Sequence, residues 1–169
     1  MKSLRERRVI LGGGLLLLTV AAIAAGGTAS GTLTYKSRAG TVSIVPKFAY
    51  LVKGPDGMDP RRTIRKLVFS TADMSGKIGA CTTMSCTESD LGEGLTVDLD
   101  AGPRLNYWVV LDGQKIQYSG TEPPDSLKLT TDTPQRLAGT LSIDGAAAGG
   151  PQLAIEFDAP LVKEMTKAR

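Results

Sequence analysis

Apolar and polar residues alternate with a period of two through most of the chain after residue 30, the pattern of strands with one buried face. The clearest example is the run in which Leu95, Val97 and Leu99 alternate with polar residues. Further alternating or short continuous apolar runs predict strands around Leu33 and Tyr35, Val42 and Ile44, Phe48 to Val52, Leu67 to Phe69, Leu105 to Leu111, Ile116 and Tyr118, Leu137 to Ile143, and Leu153 to Phe157.

Turn-forming residues separate these runs. Asp112-Gly113 lies between two strand candidates and is typical of a two-residue type I′ hairpin. Pro160 is expected to end the last strand, because proline cannot donate a hydrogen bond to a sheet. Met84 to Leu91 is the one stretch with helical character, whereas Ser75 to Lys77 is predicted as a turn from its composition.

This pattern predicts an all-β fold. Strands do not alternate with helices, which argues against a parallel α/β fold. Many short strands with regular turns indicate a sandwich or a barrel, and the 20 glycines and nine prolines suit the loops of a sandwich. We therefore expect one antiparallel β-sandwich of about 7–9 strands, immunoglobulin-like in architecture, over residues 30–169.

The first 29 residues predict an export signal. Four basic side chains lie among residues 1–8, an uncharged apolar run extends from Val9 to about Gly26, and small residues follow. Ala22-Ile23-Ala24 satisfies the small-x-small rule for cleavage, and Gly27-Thr28-Ala29 satisfies it too, so the position of the cut stays open. The alternative is an uncleaved membrane anchor, since about 18 apolar residues are at the short edge of what spans a bilayer.

Either alternative places the domain outside the cytoplasm, in the periplasm or secreted, or anchored to the inner membrane. Lipid attachment at the cleavage point is excluded, because no cysteine precedes Cys81. The signal also accounts for the formal net charge of +3. Residues 1–26 hold four basic groups and one acidic group, so the rest of the chain is neutral and its charge gives no indication of a nucleic-acid partner.

Composition and motifs argue against an enzyme. The chain has no histidine, which removes Ser-His-Asp and Cys-His catalysis and the usual zinc sites. It also lacks a phosphate-binding glycine loop outside the signal, a nucleophile elbow and a Ser-x-x-Lys motif with its companions. The sequence therefore predicts no catalytic, cofactor-binding or metal-binding residues.

The two cysteines are consistent with export. Cys81 and Cys86 are separated by four residues, and in an oxidising compartment such a pair is expected to form a disulfide. The alternative is a Cu(I) site that combines these thiolates with Met74 and Met84, because soft ligands suit that ion.

Three groups of side chains are candidates for function. Asp98 and Asp100 lie two apart on a strand, as a carboxylate-based hydrolase would need, although a solvated strand face is the simpler interpretation. Arg61, Arg62, Arg65 and Lys66 form the only basic cluster after the signal. They are candidates for binding a partner, or for pairing with the acidic stretch from Glu88 to Asp100. Tyr107 and Trp108 are both expected in the core.

Three segments carry a resemblance to a known group of proteins. They are Lys47 to Val52, Leu67 to Asp73, and the strand around Ala138 to Thr140 together with Ala154 to Pro160. In these segments the chain resembles small exported bacterial proteins of uncharacterised function. The resemblance implies an immunoglobulin-like β-sandwich and supplies no catalytic residues, and the segment around Cys81 and Cys86 is an addition to that pattern.

Together these observations predict an exported, non-enzymatic binding module of the bacterial envelope. Its partner is expected to be a protein or another envelope macromolecule, and the expected contact segments are Gly54–Lys66 and Ser75–Gly94. Binding of a small ligand or of Cu(I) through the cysteines and methionines is the alternative from another class, and the hydrolase is the third.

Overall fold

The computed structural model describes residues 26–37, 40–89, 91–111 and 118–169 of the 169-residue chain. Ten strands lie within these ranges: β1 (Gly27–Ser37), β2 (Gly40–Ile44), β3 (Phe48–Pro55), β4 (Thr63–Ser70), β5 (Gly94–Leu99), β6 (Leu105–Val110), β7 (Tyr118–Glu122), β8 (Leu127–Thr133), β9 (Arg136–Asp144) and β10 (Gln152–Glu164). Two short α-helices, α1 (Ser75–Ala80) and α2 (Cys86–Ser89), lie between β4 and β5. Residues 1–25 of the predicted 29-residue signal and the Asp112-Gly113 hairpin lie outside the described residues. The last residues of that predicted signal, 27–29, belong to β1, so the folded domain begins before residue 30.

All ten strands belong to one sheet. Their order is β7-β6-β5-β4-β3-β1-β10-β9-β8, with β2 paired to β1. Every pairing is antiparallel except a short parallel contact between β10 and β3. The strands β7 and β8, at the two ends of this order, do not pair within the described ranges, so the sheet is not closed. The all-β prediction is confirmed at this level.

The sheet curls around its larger apolar cluster. Strands β4 and β8 are five places apart, which in a flat sheet would separate them by roughly 24 Å. Yet Arg65 of β4 lies 2.5 Å from Asp132 of β8. Likewise, the rings of Tyr35 on β1 and Tyr118 on β7 are 5.7 Å apart. Apolar side chains from both ends of the strand order therefore share one inner cluster.

The predicted alternation places the inner residues correctly. Leu95, Val97 and Leu99 lie in the inner cluster, as does Tyr107. Phe69 of β4 meets Phe157 of β10 edge to face, with ring centroids 5.3 Å apart. Both rings belong to the inner cluster that the strand pattern predicts.

Three elements differ from the prediction. Strand β8 was not predicted, because Leu127 and Leu129 are its only large apolar residues, and it brings the number of strands to ten. Strand β10 does not end at Pro160 but continues to Glu164. Its pairing with β1 stops at Asp158, and beyond the proline it pairs in parallel with β3, with a shift of register between Leu161 and Lys163. Residues 75–80 form helix α1 and not a turn, because Ile78 packs against the sheet.

The segment between β4 and β5 covers the outer face of the sheet. Residues 71–93 include both helices, and with Met165 near the carboxyl terminus they bury a second apolar cluster against β3 and β4. Helix α2 confirms the helical turn predicted around Met84 to Leu91. Across the ranges described, no helix is both long and apolar enough to span a bilayer.

Candidate functional site

The four predicted partner-binding residues do not form one free basic patch. Arg61 donates two side-chain hydrogen bonds to Asp59, and its side chain is 90% exposed. Arg62 lies 3.7 Å from the same carboxylate and donates to the carbonyl of Ala101. The Arg61 hydrogen bond is the main reason why the pKa of Asp59 is lowered. This part of the cluster is exposed but already paired.

Arg65 fastens two distant parts of the sheet. Its Nε and Nη2 donate to the two oxygens of Asp100 at 2.6 and 3.1 Å, and Nη1 donates to Asp132 of β8 at 2.5 Å. The hydrogen bond to Asp100 is the main cause that raises the pKa of Arg65. Since neighbouring residues of a strand point to opposite faces, Arg65 and Lys66 cannot act on one surface.

Lys66 is buried on the outer face of the sheet, where it contacts two carboxylates. Its side chain is 5% exposed, and it forms ion pairs with Glu88 of α2 and with Asp98 of β5, the latter at 3.4 Å. Its Nζ also lies 5.8 Å from the centre of the Trp108 ring. The acidic stretch identified in the sequence thus pairs with two residues of the basic cluster, Arg65 and Lys66.

Asp98 is the electrostatically unusual member of this group. Burial raises its pKa to about 6, although the charge of Lys66 opposes the shift and that of Glu88 adds to it. Its contact with Lys66 lacks hydrogen-bond geometry, so Asp98 Oδ1 is buried with no hydrogen-bond partner among the residues described. Thr96 Oγ1, on the same face of β5, is likewise buried without a hydrogen-bond partner among the residues described.

A cavity of about 170 Å³ opens beside this group. Its walls come from four parts of the chain: the turn after β3 with β4, the start of α2, the strands β5 and β6, and the carboxyl terminus. Lys66, Glu88, Asp98 and Trp108 all line it. The two segments predicted as contact surfaces, Gly54–Lys66 and Ser75–Gly94, both contribute to it.

Trp108 and Met58 give the cavity an apolar side. Tyr107 is in the core as predicted, but Trp108 points to the other face and is only half-buried there. The prediction that both rings lie in the core is therefore wrong for Trp108, because alternation sends neighbouring residues to opposite faces. Met58 also lines the cavity and is 89% exposed.

Two backbone contacts hold the carboxyl terminus against this site. The Met84 and Ser85 amides donate to the carbonyls of Lys167 and Ala168. Arg169 consequently lines the cavity and lies 4.0 Å from the position of a side chain at Gly57. Asp56, which is buried, fixes the facing turn by accepting the amide hydrogen of Met58 at 2.8 Å.

The predicted disulfide between Cys81 and Cys86 is confirmed. It joins the end of α1 to the start of α2 and stabilises the segment that forms one wall of the cavity. Both sulfurs are thereby used, so the arrangement does not offer them as thiolates for the Cu(I) alternative. Met74 and Met84 pack in the outer apolar cluster.

The two carboxylates of the hydrolase alternative are held apart. Asp98 faces Lys66 on the outer side, whereas Asp100 has a φ of 67° just past β5 and is held by Arg65. The cavity is lined by Asp98 but not by Asp100. Nor is Asp98 on a solvated face, since its side chain is 13% exposed and pairs with the same lysine as Glu88 of α2. Within the described ranges, His, Cys, Asp and Glu residues form no group of three suited to a metal ion.

Sequence reasoning singled out none of Asp56, Met58 and Arg169, which all line the cavity. Asp56 and Met58 fall within the predicted contact segment Gly54–Lys66, whereas Arg169 falls within neither predicted segment. A signal for Met58 existed, because a large apolar residue inside a Gly-Pro-Asp-Gly-Met-Asp turn has no strand or helix face to occupy. Arg169 carries no such signal, because its position depends on pairing of the terminus with residues 83–85.

Comparison with protein-family models, with curated proteins and with solved structures finds no match to this chain. The resemblance to small exported bacterial proteins therefore stays a prediction. The site must be interpreted from its own chemistry: a buried cation with two carboxylates, a half-buried indole and an exposed thioether.

Proposed function

We propose that this chain is an exported, non-enzymatic binding module of the bacterial envelope. We further propose that it binds a protein partner at the cavity beside Lys66, whose rim is formed by Met58, Trp108 and Arg169. One observation carries the proposal: the two segments predicted from the sequence as contact surfaces, Gly54–Lys66 and Ser75–Gly94, both contribute residues to this cavity. The carboxyl terminus reaches the same place. Three parts of the chain that are remote in sequence thus present one continuous surface.

The chemistry of the rim supports a protein partner. Met58 is an adaptable apolar side chain that is 89% exposed, and an isolated exposed residue of this type would be ordinary. Here it adjoins a concave site that also contains Trp108 and Arg169, and aromatic, methionine and arginine side chains are enriched at protein interfaces. The ion pairs of Lys66 with Glu88 and Asp98 fix the floor of the cavity beneath this rim.

Two other features support export and a non-enzymatic role. The disulfide between Cys81 and Cys86 suits an oxidising compartment. Asp98 and Asp100 do not share one site, as the hydrolase alternative would require of them.

We also propose that the curled sheet is organised as an immunoglobulin-like sandwich. Support comes from the contacts that cross the fold, namely Phe69 with Phe157 and Arg65 with Asp132. An experimental structure tests this directly. Two facing layers with strand directions within about 30° of each other are expected, whereas a continuous barrel-like wall would contradict it.

The binding proposal is tested with a photo-crosslinking residue at position 58 in the full chain, expressed in its bacterial envelope. A discrete adduct with a protein is expected, and Met58→Asp in a tagged chain should reduce capture of that same protein more than tenfold. Position 45 provides the matched control, because Val45 is the other exposed large apolar side chain in the described residues, at 53%.

Equal crosslinking at positions 45 and 58, or unchanged capture by Met58→Asp, would contradict the proposed surface. Localisation is measured on the same cells: the chain is expected in the periplasmic or secreted fraction, or in the inner membrane with its domain outside the cytoplasm. Recovery in the cytoplasm with free thiols would contradict export.

A further inference from the structure

The first described residues are an integral part of the sheet. Thr28 and Ala29 of β1 pair with Asp158 and Phe157 of β10. On the other side of β1, Gly27 and Thr28 pair with Ala49 and Phe48 of β3. Ala29 also packs against the inner core. Residues 27–29 therefore lie between two strands and do not form a loose leader to the domain.

Gly26 is fastened to the outer side as well. Its amide donates to Ser75 Oγ at 3.1 Å, and that hydroxyl donates to Asp73 Oδ1 at 2.5 Å. The hydroxyl of the buried Tyr50 donates to the same carboxylate oxygen at 2.9 Å. The backbone at residue 26 is thus hydrogen-bonded to a side-chain network of Ser75, Asp73 and Tyr50 at the start of α1.

The small residues at these positions are required by packing. A side chain at Gly27 would place its Cβ 1.7 Å from the carbonyl oxygen of Asp158. At Gly26 the Cβ would lie 2.3 Å from the ring of Tyr50. Neither contact is tolerable between non-bonded atoms. The glycines are explained by the fold, and they are not needed to explain recognition by a signal peptidase.

Because residues 26–29 belong to the folded domain, cleavage after Ala29 would remove part of the fold, whereas cleavage after Ala24 would leave the fold intact. We infer that the mature chain retains Gly26–Ala29 and that signal peptidase hydrolyses the bond between Ala24 and Ala25, at the motif Ala22-Ile23-Ala24. Water is consumed, Ala24 ends as a carboxylate and Ala25 begins with an ammonium group. The inference rests on the proposed export of the chain, and the bond itself lies outside the described residues.

Cleavage at the second motif would damage the fold. A cut after Ala29 removes the pairs that residues 27–29 make with β3 and β10, together with the hydrogen bond from the Ala29 amide to Lys47. Chains beginning at Ala25 and at Ser30 provide a matched pair. The shorter chain should melt more than about 5 °C lower, because several backbone hydrogen bonds and the packing of Ala29 are lost.

The decisive measurement is the intact mass of the full chain after expression in a bacterial host. A periplasmic protein that begins at Ala25 supports the inference. A periplasmic protein that begins at any other residue, Gly26, Gly27 and Ser30 included, overturns it and leaves export standing. A full-length chain in the inner membrane with its domain outside also overturns it, whereas a cytoplasmic full-length chain overturns the proposed export as well.

Substitutions at the two motifs provide a second test, because signal peptidase requires small residues at its site. Ala24→Val should leave the uncleaved precursor in excess, by at least tenfold over the unmodified chain. Ala29→Val should be processed as usual. The reverse pattern would assign the cut to the second motif and overturn the inference.

Discussion

The two faces of β4 and β5 are both buried, but by different partners. On the inner face Leu67, Phe69, Leu95 and Val97 are fully buried among apolar residues of the curled sheet. On the outer face, the alternate positions include Lys66, at 4% exposure. The strands provide the same backbone to both faces, so the difference comes from what covers them.

The inner face is covered by other strands of the sheet, which present their own apolar residues. The outer face is covered by residues 71–93 and by the carboxyl terminus, which bring Met84 but also Glu88. A buried charge requires a compensating partner, and a loop can supply one where an apolar strand face cannot. The inner face is therefore stabilised by apolar packing, whereas the outer face combines apolar packing with a paired buried charge.

The largest expected effect is on the inner face. Phe69→Ala removes the aromatic contact with Phe157 and leaves a cavity between strands β4 and β10. The free energy of unfolding should fall by about 3–5 kcal/mol, measured by urea denaturation. Val45→Ala, at an exposed site, should change it by less than about 0.5 kcal/mol. Similar losses in both variants would refute the importance of the inner contact.

The next effect concerns the buried cation. Lys66→Met keeps the side-chain volume but leaves Glu88 and Asp98 without their cation. The free energy of unfolding at pH 7 should fall by about 3 kcal/mol, because an uncompensated buried charge costs more than the pair contributes.

A triple variant shows whether charge or packing causes that loss. Lys66→Met with Glu88→Gln and Asp98→Asn removes all three charges, and it should recover most of the stability in the same urea titration. A triple variant as unstable as the single one would show that Lys66 acts through its packing.

The strands of the inner face could be predicted from the sequence, because a period of two depends only on the residues themselves. The run from Leu95 to Leu99 needs no knowledge of its neighbours. The same rule also separates Arg65 from Lys66, which adjacency in the sequence had grouped as one basic cluster. Applied to those two residues and to Trp108, alternation would have corrected both predictions.

The covering of the outer face could not be predicted in this way. Alternation identifies Asp98 as lying opposite the core, but it cannot tell whether water or another segment covers that face. Residues 71–93 have no clear period, and their helix α1 includes Gly76 and Gly79, which disfavour helices. Its stability comes from burial of Ile78 against the sheet, which is a tertiary effect. The site therefore depends on contacts that local sequence does not encode.

The third prediction concerns the pH dependence of the outer face. Burial raises the pKa of Asp98 from 3.8 to about 6; of the nearby charges, Lys66 opposes this shift, whereas Glu88 and Asp56 add to it. The folded state therefore binds this proton more tightly than the unfolded state does. The resulting stabilisation is complete below pH 4 and is lost as the pH rises through 6, a change of at most about 3 kcal/mol.

Asp98→Asn keeps the side chain neutral throughout that range, while Lys66 retains Glu88 as its partner. Urea titrations from pH 4 to 7 should show equal stabilities of variant and parent at pH 4. At pH 7 the variant should be more stable, by no more than about 3 kcal/mol. A variant that is less stable at pH 7 would show that attraction to Lys66 outweighs burial.

The smallest expected change in the free energy of unfolding concerns Arg65, whose ion pair with Asp132 connects β4 to β8. Arg65→Lys keeps the charge but loses the forked contact with Asp100 and the reach to Asp132. The free energy of unfolding should fall by about 1 kcal/mol in urea titrations, because the residue is partly exposed and water screens its ion pairs. Arg61→Lys is the matched control at an exposed pair, and no measurable change is expected there. If the two substitutions prove equivalent, Arg65 does not fasten β4 to β8, and the curl of the sheet is maintained by its apolar core alone.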